Sequence, residues 1–443
     1  MHHLLRRLLA LFLLCTLLAA CGTVGSSTAT GTAIPSGTGA IKQTPMPFPT
    51  DSTSNDTCPQ SIAVFKNCQT PQSMRTAYGI TPLIQQGFTG KGQTVVDIVS
   101  FGSPTLQKDM DVFDKQFNLP PITIQQISPL NIPESDPHHD KSGWASETTL
   151  DVEIIHAMAP DAGIVVLISP VAETEGTLGL PEFRQLLQYT LDHKLGTIIS
   201  QSWGASEATL KDAVGQAETQ KWDAFYKQVT TQNGFTILSA SGDNGATDYA
   251  DLNATKLVST PTTSFPADDP WVTAVGGTSL NRQGSAFNEI AWNQSGGGFS
   301  ALFPTPSYQQ NLPDSVKSLQ QNRRGVPDVS GNANPSTGLA MYQNGSWTLA
   351  GGTSASTPLW AAMIAIADQM AGHSLGFINP KLYKLANSAS YAQDFHDITV
   401  GNNNANVNGV VVPGFDAVPG WDAITGIGSP NAVHLLPDLI AAK

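Results

Sequence analysis

One serine of the sequence lies where a nucleophile would be expected. The run Gly351–Ser354 is followed by Pro358 and by the almost wholly apolar residues 359–370, which predict a buried helix. Ser354 then stands at the start of that helix, where free backbone N–H groups can stabilise an oxyanion. We expect Pro358 in the first turn, whose N–H groups have no intrahelical partners anyway. The context therefore indicates that Ser354 is a nucleophile.

A second Gly-Gly-Thr-Ser run provides a comparison within the same chain. It ends at Ser279, and the residues Leu280 to Arg282 follow it with no proline and no apolar helix. A run of glycines with a serine can also be a purely structural turn. We therefore interpret Ser279 as part of a turn and Ser354 as the nucleophile.

A serine nucleophile requires a general base, and histidine is the usual one. The candidates are His138, His139 and His156, but none lies in the His-Gly-Thr-His setting of subtilisin-type enzymes. Asp97 is expected to end an apolar strand, yet it lacks the Ser/Thr-Gly that follows the aspartate of those enzymes. A histidine base is therefore an alternative without a supporting motif.

The other candidate base is the carboxylate pair Glu147 and Asp151. We expect Ser146 to cap a helix that runs to about Met158, so the two acids are at positions i and i+4, on one stripe with Ile155. Carboxyl groups held close together share a proton and titrate as a pair. Such a pair is more often a solvated helix face, so this motif alone does not settle the base.

A further acid follows an apolar run. Asp243 stands in Ser241–Gly245, directly after the predicted strand Phe235 to Ala240. A turn is expected there on any interpretation. An aspartic acid that is buried and stays protonated could also donate a hydrogen bond to an oxyanion.

The elements around these residues alternate between strand and helix. Short Val- and Ile-rich runs predict strands at 94–101, 164–169, 197–202 and 235–240, and helical patterns occur at 181–195 and 213–231. Continuous apolar strands separated by helices predict an α/β fold, with a parallel sheet covered by helices on both faces. Ligands of such sheets bind at the carboxyl ends of the strands, and the candidate residues fall near those ends or at helix starts.

Together these residues resemble the sedolisin, or serine-carboxyl, peptidase family, from about Thr70 to the C-terminus. Further segments that resemble the family are 70–75, 113–117, 202–204 and 326–330. The resemblance implies a subtilisin-like fold and an endopeptidase that hydrolyses peptide bonds in proteins at acid pH. It implies Ser354, Glu147 and Asp151 as the catalytic triad, with Asp243 completing the set. The alternatives are a catalytically inactive relative that acts as a surface binding protein, and a neutral subtilisin-type peptidase with a histidine base.

Two C-terminal segments, 395–399 and 419–422, resemble the calcium-binding segments of that family. The resemblance implies Ca²⁺ as a cofactor. Its ligands would be the carboxylates of Asp397 and Asp422 and the backbone carbonyls of Ile398, Val418 and Gly420, a hard-oxygen set that suits this ion. Val418 stands where many relatives have glycine, so its carbonyl can be a ligand only if its φ is not positive.

The N-terminal residues predict export. Arg6 and Arg7 precede an apolar run, Leu8 to Ala20, that is too short to span a bilayer. Residues 18–22 resemble a bacterial lipobox, which implies a signal peptide over 1–20 and a lipid on Cys21. The alternative is an ordinary cleavage site that happens to precede a cysteine. We expect a protein anchored by lipid at the outer face of the cell membrane, or secreted.

The rest of the chain divides by composition. Residues 21–57 are rich in Ser, Thr, Gly and Pro and predict a flexible tether, and residues 58–443 form the predicted catalytic domain with the C-terminal calcium segment. Cys58 and Cys68 have nine residues between them and could pair in an oxidising compartment. The net charge of −13 argues against a nucleic-acid partner. We expect a monomer that acts on protein or peptide substrates.

Overall fold

The structure is a computed structural model that describes residues 56–283 and 286–442. The predicted signal peptide, the predicted lipid site Cys21 and most of the predicted tether lie outside the described residues. The structure joins Cys58 and Cys68 in a disulfide. No helix among the described residues is long and apolar enough to cross a membrane.

The helices of the described residues are α1 Pro71–Ala77, α2 Thr81–Gln85, α3 Leu106–Phe117, α4 Lys141–Met158, α5 Leu180–His193, α6 Ala213–Gln232, α7 Asp314–Gln320, α8 Thr353–Ala371, α9 Asn379–Ala386, α10 Tyr391–Asp394 and α11 Ala432–Ala441. The strands are β1 Thr94–Ser100, β2 Gln125–Ile127, β3 Gly163–Ser169, β4 Ile198–Gln201, β5 Ala205–Ser206, β6 Thr236–Ala240, β7 Ser264–Phe265, β8 Thr273–Gln283, β9 Ala286–Ala291, β10 Gly298–Pro304, β11 Arg323–Val326, β12 Val329–Asn332, β13 Ala340–Gln343, β14 Ser346–Leu349, β15 Phe395–His396, β16 Ala405–Val407, β17 Val410–Val412 and β18 Ser429–Pro430.

Eight strands form the central sheet, in the order β12-β8-β6-β4-β1-β3-β2, with β9 paired to β8. All of these pairs are parallel except β8–β9. The prediction of a parallel sheet covered by helices is confirmed, and the antiparallel strand β9 is an addition to it. Strand β8 is long enough to pair with β6 and β12 in its first part and with β9 in its second.

Two helices carry most of the candidate residues and pack against each other. Helix α4 contacts β1 and β3, and α8 contacts β4, β6, β8 and β12. Residues 355–368 of α8 are all buried, as expected of a helix that is apolar on every side. The sheet topology therefore brings the N-terminal half of α4 and the start of α8 to the carboxyl ends of β1, β4 and β6.

Two expectations about these helices are wrong. Helix α4 begins at Lys141, so Ser146 lies inside it and does not cap it. Helix α8 begins at Thr353, so Pro358 is its sixth residue rather than part of the first turn. A proline there cannot donate to the carbonyl four residues earlier, which is the carbonyl of Ser354.

Candidate active site

The candidate nucleophile and the candidate base are in contact. The hydroxyl of Ser354 forms a hydrogen bond with the carboxyl group of Glu147. Burial raises the pKa of Glu147 well above its usual range, the nearby Asp151 and Asp243 raise it further, and the bond to Ser354 lowers it. Oxygen Oε1 of Glu147 is buried and accepts no hydrogen bond from the described residues. Glu147 is therefore placed to take a proton from Ser354.

Asp151 is fully buried one turn further along α4. Its Oδ1 accepts a hydrogen bond of 2.7 Å from the hydroxyl of Ser202, which follows β4. Burial raises its pKa well above the usual range, and so does the neighbouring Asp97. The same Ser202 hydroxyl lies 3.3 Å from the carbonyl oxygen of Ser354, the group that Pro358 leaves without a helical partner.

Asp97, which the sequence analysis considered only in connection with a histidine base, is also a member of the site. It lies in the middle of β1 rather than at its end, and it is fully buried. Its carboxyl group forms a hydrogen bond with that of Asp151, and such a bond requires a shared proton. The signal in the sequence was a single acid inside the otherwise apolar run of β1, because an unpaired buried carboxylate is costly.

The turn after β6 brings Asp243 against the start of α8. Asp243 Oδ1 accepts two hydrogen bonds from Thr353, one from its backbone N–H at 2.7 Å and one from its hydroxyl at 2.9 Å. Burial raises the pKa of Asp243, and the two bonds from Thr353 lower it. The backbone N–H of Ser354, the next residue, has no hydrogen-bond partner among the described residues. The carboxyl group of Asp243 and the free backbone N–H of Ser354 thus both lie at the start of α8.

The alternative residues lie elsewhere. Ser279 is buried on β8, where its hydroxyl accepts a bond of 2.9 Å from Asn334. His156 is buried on α4, where its Nε2 lies 2.9 Å from the carbonyl oxygen of Pro120 and 3.2 Å from Asp114. His138 and His139 precede α4, and within residues 56–283 and 286–442 no hydrogen bond joins any of the three histidines to Ser354.

The two implied calcium segments, which we call together the calcium loop, are joined by hydrogen bonds between Gly420 and Asp397. The N–H of Gly420 lies 3.1 Å from each oxygen of Asp397, and that of Val418 lies 3.2 Å from Asp422 Oδ2. Asp422 is fully buried without a salt bridge in the described part of the chain, and burial raises its pKa to about 7. The φ of Val418 is not positive, so its carbonyl meets the condition set above.

The donor chemistry of this loop fits Ca²⁺. The implied set has two carboxylates and three carbonyls, all hard oxygens, and a buried acid that lacks a positive partner. It is not a cluster of side chains, and the described residues contain no group of three or more His, Cys, Asp or Glu arranged to hold a metal ion.

The fold described above is that of a subtilisin-like protein. A sequence model of the subtilase family (Peptidase_S8) matches residues 143–384, and the solved structure of Pseudomonas sedolisin, a serine-carboxyl proteinase complexed with two molecules of pseudo-iodotyrostatin, superposes with a TM-score of 0.69 at 26% identity, over 85% of this chain and 98% of that one. The chain belongs to the subtilase family, within its sedolisin, or serine-carboxyl, branch.

Two relatives give the extent of the similarity. Kumamolisin from Bacillus sp. (strain MN-32) is 33% identical over 393 residues, which cover 86% of this chain and 65% of that protein. Tripeptidyl-peptidase 1 from Rattus norvegicus is 28% identical over 392 residues, which cover 84% and 64%. The matched region of this chain thus spans a little less than two thirds of the length of either relative.

Proposed function

We propose that this protein is an exported endopeptidase that hydrolyses peptide bonds in proteins at acid pH. Ser354 is the nucleophile, Glu147 the general base, Asp151 its partner, and Asp243 the donor to the oxyanion. The observation that carries the proposal is the hydrogen bond between the Ser354 hydroxyl and the Glu147 carboxyl, backed by the buried acids Asp151 and Asp97. The similarity to tripeptidyl-peptidase 1 and to a serine-carboxyl proteinase of known structure supports it.

In the proposed reaction Ser354 Oγ attacks the carbonyl carbon of the scissile peptide bond while its proton moves to Glu147. The carbonyl oxygen becomes an oxyanion, which accepts hydrogen bonds from protonated Asp243 and from the N–H of Ser354. Glu147 then gives its proton to the leaving amine, and an ester remains on Ser354. Water attacks that ester while Glu147 takes its proton; the bond between the acyl carbon and Ser354 Oγ then breaks, Glu147 returns the proton to Oγ, and the acid product leaves.

The role of Asp151 and Asp97 follows from their burial. Their carboxyl groups share a proton, since two adjacent buried carboxylates repel each other strongly. The pair therefore stays partly protonated, and it can hold Glu147 in place without adding a second full negative charge beside it. Asp97 and Asp151 act as positioning residues, because neither one contacts the serine side chain.

An active-site label tests the proposal directly. A peptide aldehyde or a fluorophosphonate should modify Ser354 in the folded protein at acid pH, and peptide mapping should place the label there. Ser354→Ala should abolish both labelling and peptide hydrolysis, whereas Ser279→Ala, in the matched Gly-Gly-Thr-Ser run, should keep both. A folded wild-type protein that neither labels nor cleaves would instead be the inactive binding relative.

The calcium loop is proposed as a structural site. Asp397 and Asp422 would hold Ca²⁺ through their carboxylates, and Ile398, Val418 and Gly420 through their carbonyls. The ion would supply the positive charge that the buried Asp422 lacks. Such an ion stabilises the folded chain and takes no part in the bond cleavage proposed here.

The proposal for the N-terminal region rests on sequence. Residues 1–20 would be a lipoprotein signal peptide, Cys21 the lipid-bearing residue, 21–57 a tether and 58–443 the catalytic domain of a monomer. The disulfide between Cys58 and Cys68 supports an oxidising compartment, because disulfides persist there. The mature protein would then lie at the outer face of the membrane or be secreted.

A further inference from the structure

Ser202 lies between the buried acid pair of the candidate site and the nucleophile. It directly follows strand β4 and is only 7% exposed. Its hydroxyl donates a hydrogen bond of 2.7 Å to Asp151 Oδ1 and lies 3.3 Å from the backbone carbonyl oxygen of Ser354. One hydroxyl thus contacts both the partner of the proposed base and the backbone of the proposed nucleophile.

The carbonyl of Ser354 needs a donor from outside its own helix. In a regular helix it would accept a hydrogen bond from the N–H of the residue four positions later, which here is the buried Pro358. Proline has no N–H to donate. Because a backbone carbonyl inside a protein is normally paired, the hydroxyl of Ser202 is placed to replace the missing N–H.

The two acceptors of Ser202 share a single proton. A serine hydroxyl donates one proton, and the distances of 2.7 Å and 3.3 Å show that Asp151 is the stronger acceptor and the Ser354 carbonyl the weaker one. The arrangement is a three-centre hydrogen bond. It links a side chain of α4 to the backbone at the start of α8.

The chain on both sides of Ser202 is held in place. Strand β4 pairs with β1, where Asp97 lies opposite Ser200, and with β6. The buried ring of Trp203 packs edge-on against Phe183, with ring centroids 4.9 Å apart. The central sheet before Ser202 and the aromatic packing after it therefore give its hydroxyl a fixed origin, as a group that positions others requires.

The backbone that carries the nucleophile is tied to an acid of the site at each end. On the N-terminal side, the N–H of Thr353 donates to Asp243 Oδ1 at 2.7 Å. On the C-terminal side, the carbonyl of Ser354 lies against the Ser202 hydroxyl, which is bonded to Asp151. Asp151 is one turn from the proposed base on α4. Ser202 therefore completes a link between the base and the nucleophile that does not pass through their own hydrogen bond.

We propose that Ser202 is a positioning residue, which holds the Ser354 backbone and Asp151 in a fixed relation. This inference rests on the proposed function, because it assigns a role in the same reaction. Proton transfer from Ser354 to Glu147 requires the two groups to be aligned, and Ser202 contacts the elements that carry both. Loss of its hydroxyl should therefore slow the chemical step and leave substrate binding unchanged.

The substitution Ser202→Ala tests this role. We expect kcat for a quenched-fluorescence peptide to fall by about 10-fold with KM unchanged, and labelling of Ser354 by a fluorophosphonate to slow by a similar factor. The matched control is Ser239→Ala, because Ser239 is fully buried on β6 and its hydroxyl has no hydrogen-bond partner among the described residues. This control should keep the wild-type kcat and labelling rate.

A second substitution tests the link to the Ser354 carbonyl. Pro358→Ala supplies the N–H that α8 lacks, so the carbonyl no longer depends on Ser202. In the Pro358→Ala background, Ser202→Ala should lower kcat by about 3-fold or less, compared with about 10-fold in the wild-type background, since only the contact with Asp151 is then lost. Equal factors in the two backgrounds would overturn the link.

The remaining outcomes separate this inference from the proposed function. A folded wild-type protein that neither cleaves nor labels would remove both. An active wild type, with Ser202→Ala equally active, would overturn this inference alone, and so would a raised KM at unchanged kcat. If Ser202→Ala is too unstable to assay, Ser202→Cys carries the same expectation, because a thiol has a similar size but donates weakly.

Discussion

Thr353 and Asp243 are joined by two hydrogen bonds to a single oxygen. The backbone N–H and the hydroxyl of Thr353 both donate to Asp243 Oδ1, at 2.7 and 2.9 Å, so this oxygen serves as an acceptor and Oδ2 is the one that can carry a proton. Gly352 is next to Oδ2: a Cβ on Gly352 would lie 2.5 Å from that oxygen. The turn before Ser354 thus leaves room for Asp243, the proposed oxyanion donor, only because residue 352 is glycine.

Gly352→Ala should therefore lower kcat/KM by about 100-fold or more, because it displaces Asp243. Gly352 also has a φ of 86°, which disfavours any other residue. The matched control is Gly345→Ala, since Gly345 has a φ of 90° and no atom within 4 Å of a Cβ. Both variants should lose stability in a melting experiment, Gly352→Ala the more because of its contact with Asp243, but only Gly352→Ala should lose activity. Equal kcat/KM for the two would refute this role of Gly352.

A second carboxyl pair should make the fold less stable as pH rises. The hydroxyl of Ser300 contacts both Glu207 and Asp268, with Asp268 Oδ2 at 2.9 Å. One hydroxyl has one proton, so a further proton must lie between the two acids, which are hydrogen-bonded to each other. Burial, followed by Glu207, raises the pKa of Asp268 well above its usual range.

The direction of the effect follows from that raised pKa. The folded protein binds the proton of Asp268 more tightly than the unfolded chain, whose aspartates titrate near about pH 4. The stabilisation is fully present below about pH 4 and is lost as pH rises through the pKa of the folded state. Asp268→Asn replaces the proton with an amide donor that does not ionise. Between about pH 4 and about pH 7 its free energy of unfolding should fall by about 1–3 kcal/mol less than that of the wild type.

Urea unfolding at the two pH values measures this difference. Exposed Asp192→Asn is the control and should follow the wild type. The same pH dependence in Asp268→Asn and in the wild type would show that this pair holds no shared proton.

Calcium should raise the melting temperature of the wild type. An ion that binds only the folded chain stabilises it by about 2.7 kcal/mol at a hundredfold excess over Kd. Asp397→Ala and Asp422→Ala should each remove the difference between calcium and chelator, whereas Asp416→Ala, an exposed acid of the same region, should keep it. Identical melting curves of the wild type in calcium and in chelator would eliminate the site.

The mature protein should fractionate with membranes through Cys21. Cys21→Ser should prevent lipid addition and change the processing of the signal peptide or release the protein. Stable anchoring takes more than one short acyl chain, so mass spectrometry of the N-terminal peptide is the decisive readout. A wild-type protein that is wholly soluble, with an unmodified N-terminus, would disprove the lipid anchor.

Local sequence patterns predicted the elements well. The predicted bounds agree within about two residues with strands β1, β3, β4 and β6 and with helices α5 and α6. The reason is that the spacing of apolar residues and the content of β-branched residues reflect burial directly. Where the helices begin was less predictable. Ser146 and Pro358 are both acceptable helix-start residues, yet α4 and α8 begin five residues before them.

The candidate site itself depended on information that local patterns lack. Glu147, Asp243 and Ser354 stand far apart in sequence, and only the sheet order and the packing of α4 on α8 bring them together. The pairing of Asp97 with Asp151 was not predicted, because the two acids belong to different elements. A single acid in an apolar strand cannot be explained from the sequence until its contact with Asp151 is known.

The pH dependence of kcat/KM tests the carboxyl mechanism most directly. Glu147 must lose its proton to act as a base, and Asp243 must keep its own to donate to the oxyanion, so the profile should be a bell with both limbs in acid. Burial raises the pKa of both groups, which moves each limb toward higher pH. The measurement is hydrolysis of one quenched-fluorescence peptide from about pH 2 to about pH 9 by the wild type, Glu147→Ala and Asp243→Asn.

We predict a maximum below about pH 5.5 for the wild type and little activity at neutral pH, where Asp243 ionises and repels the oxyanion. Glu147→Ala should be essentially inactive, and Asp243→Asn should keep some activity with a less sharp alkaline limb. A histidine base would give the reverse, with activity lost as the imidazole protonates near about pH 6.5. A wild-type optimum at about pH 7 or above, or full activity of Glu147→Ala, would contradict the carboxyl mechanism and return His138, His139 or His156 as the base.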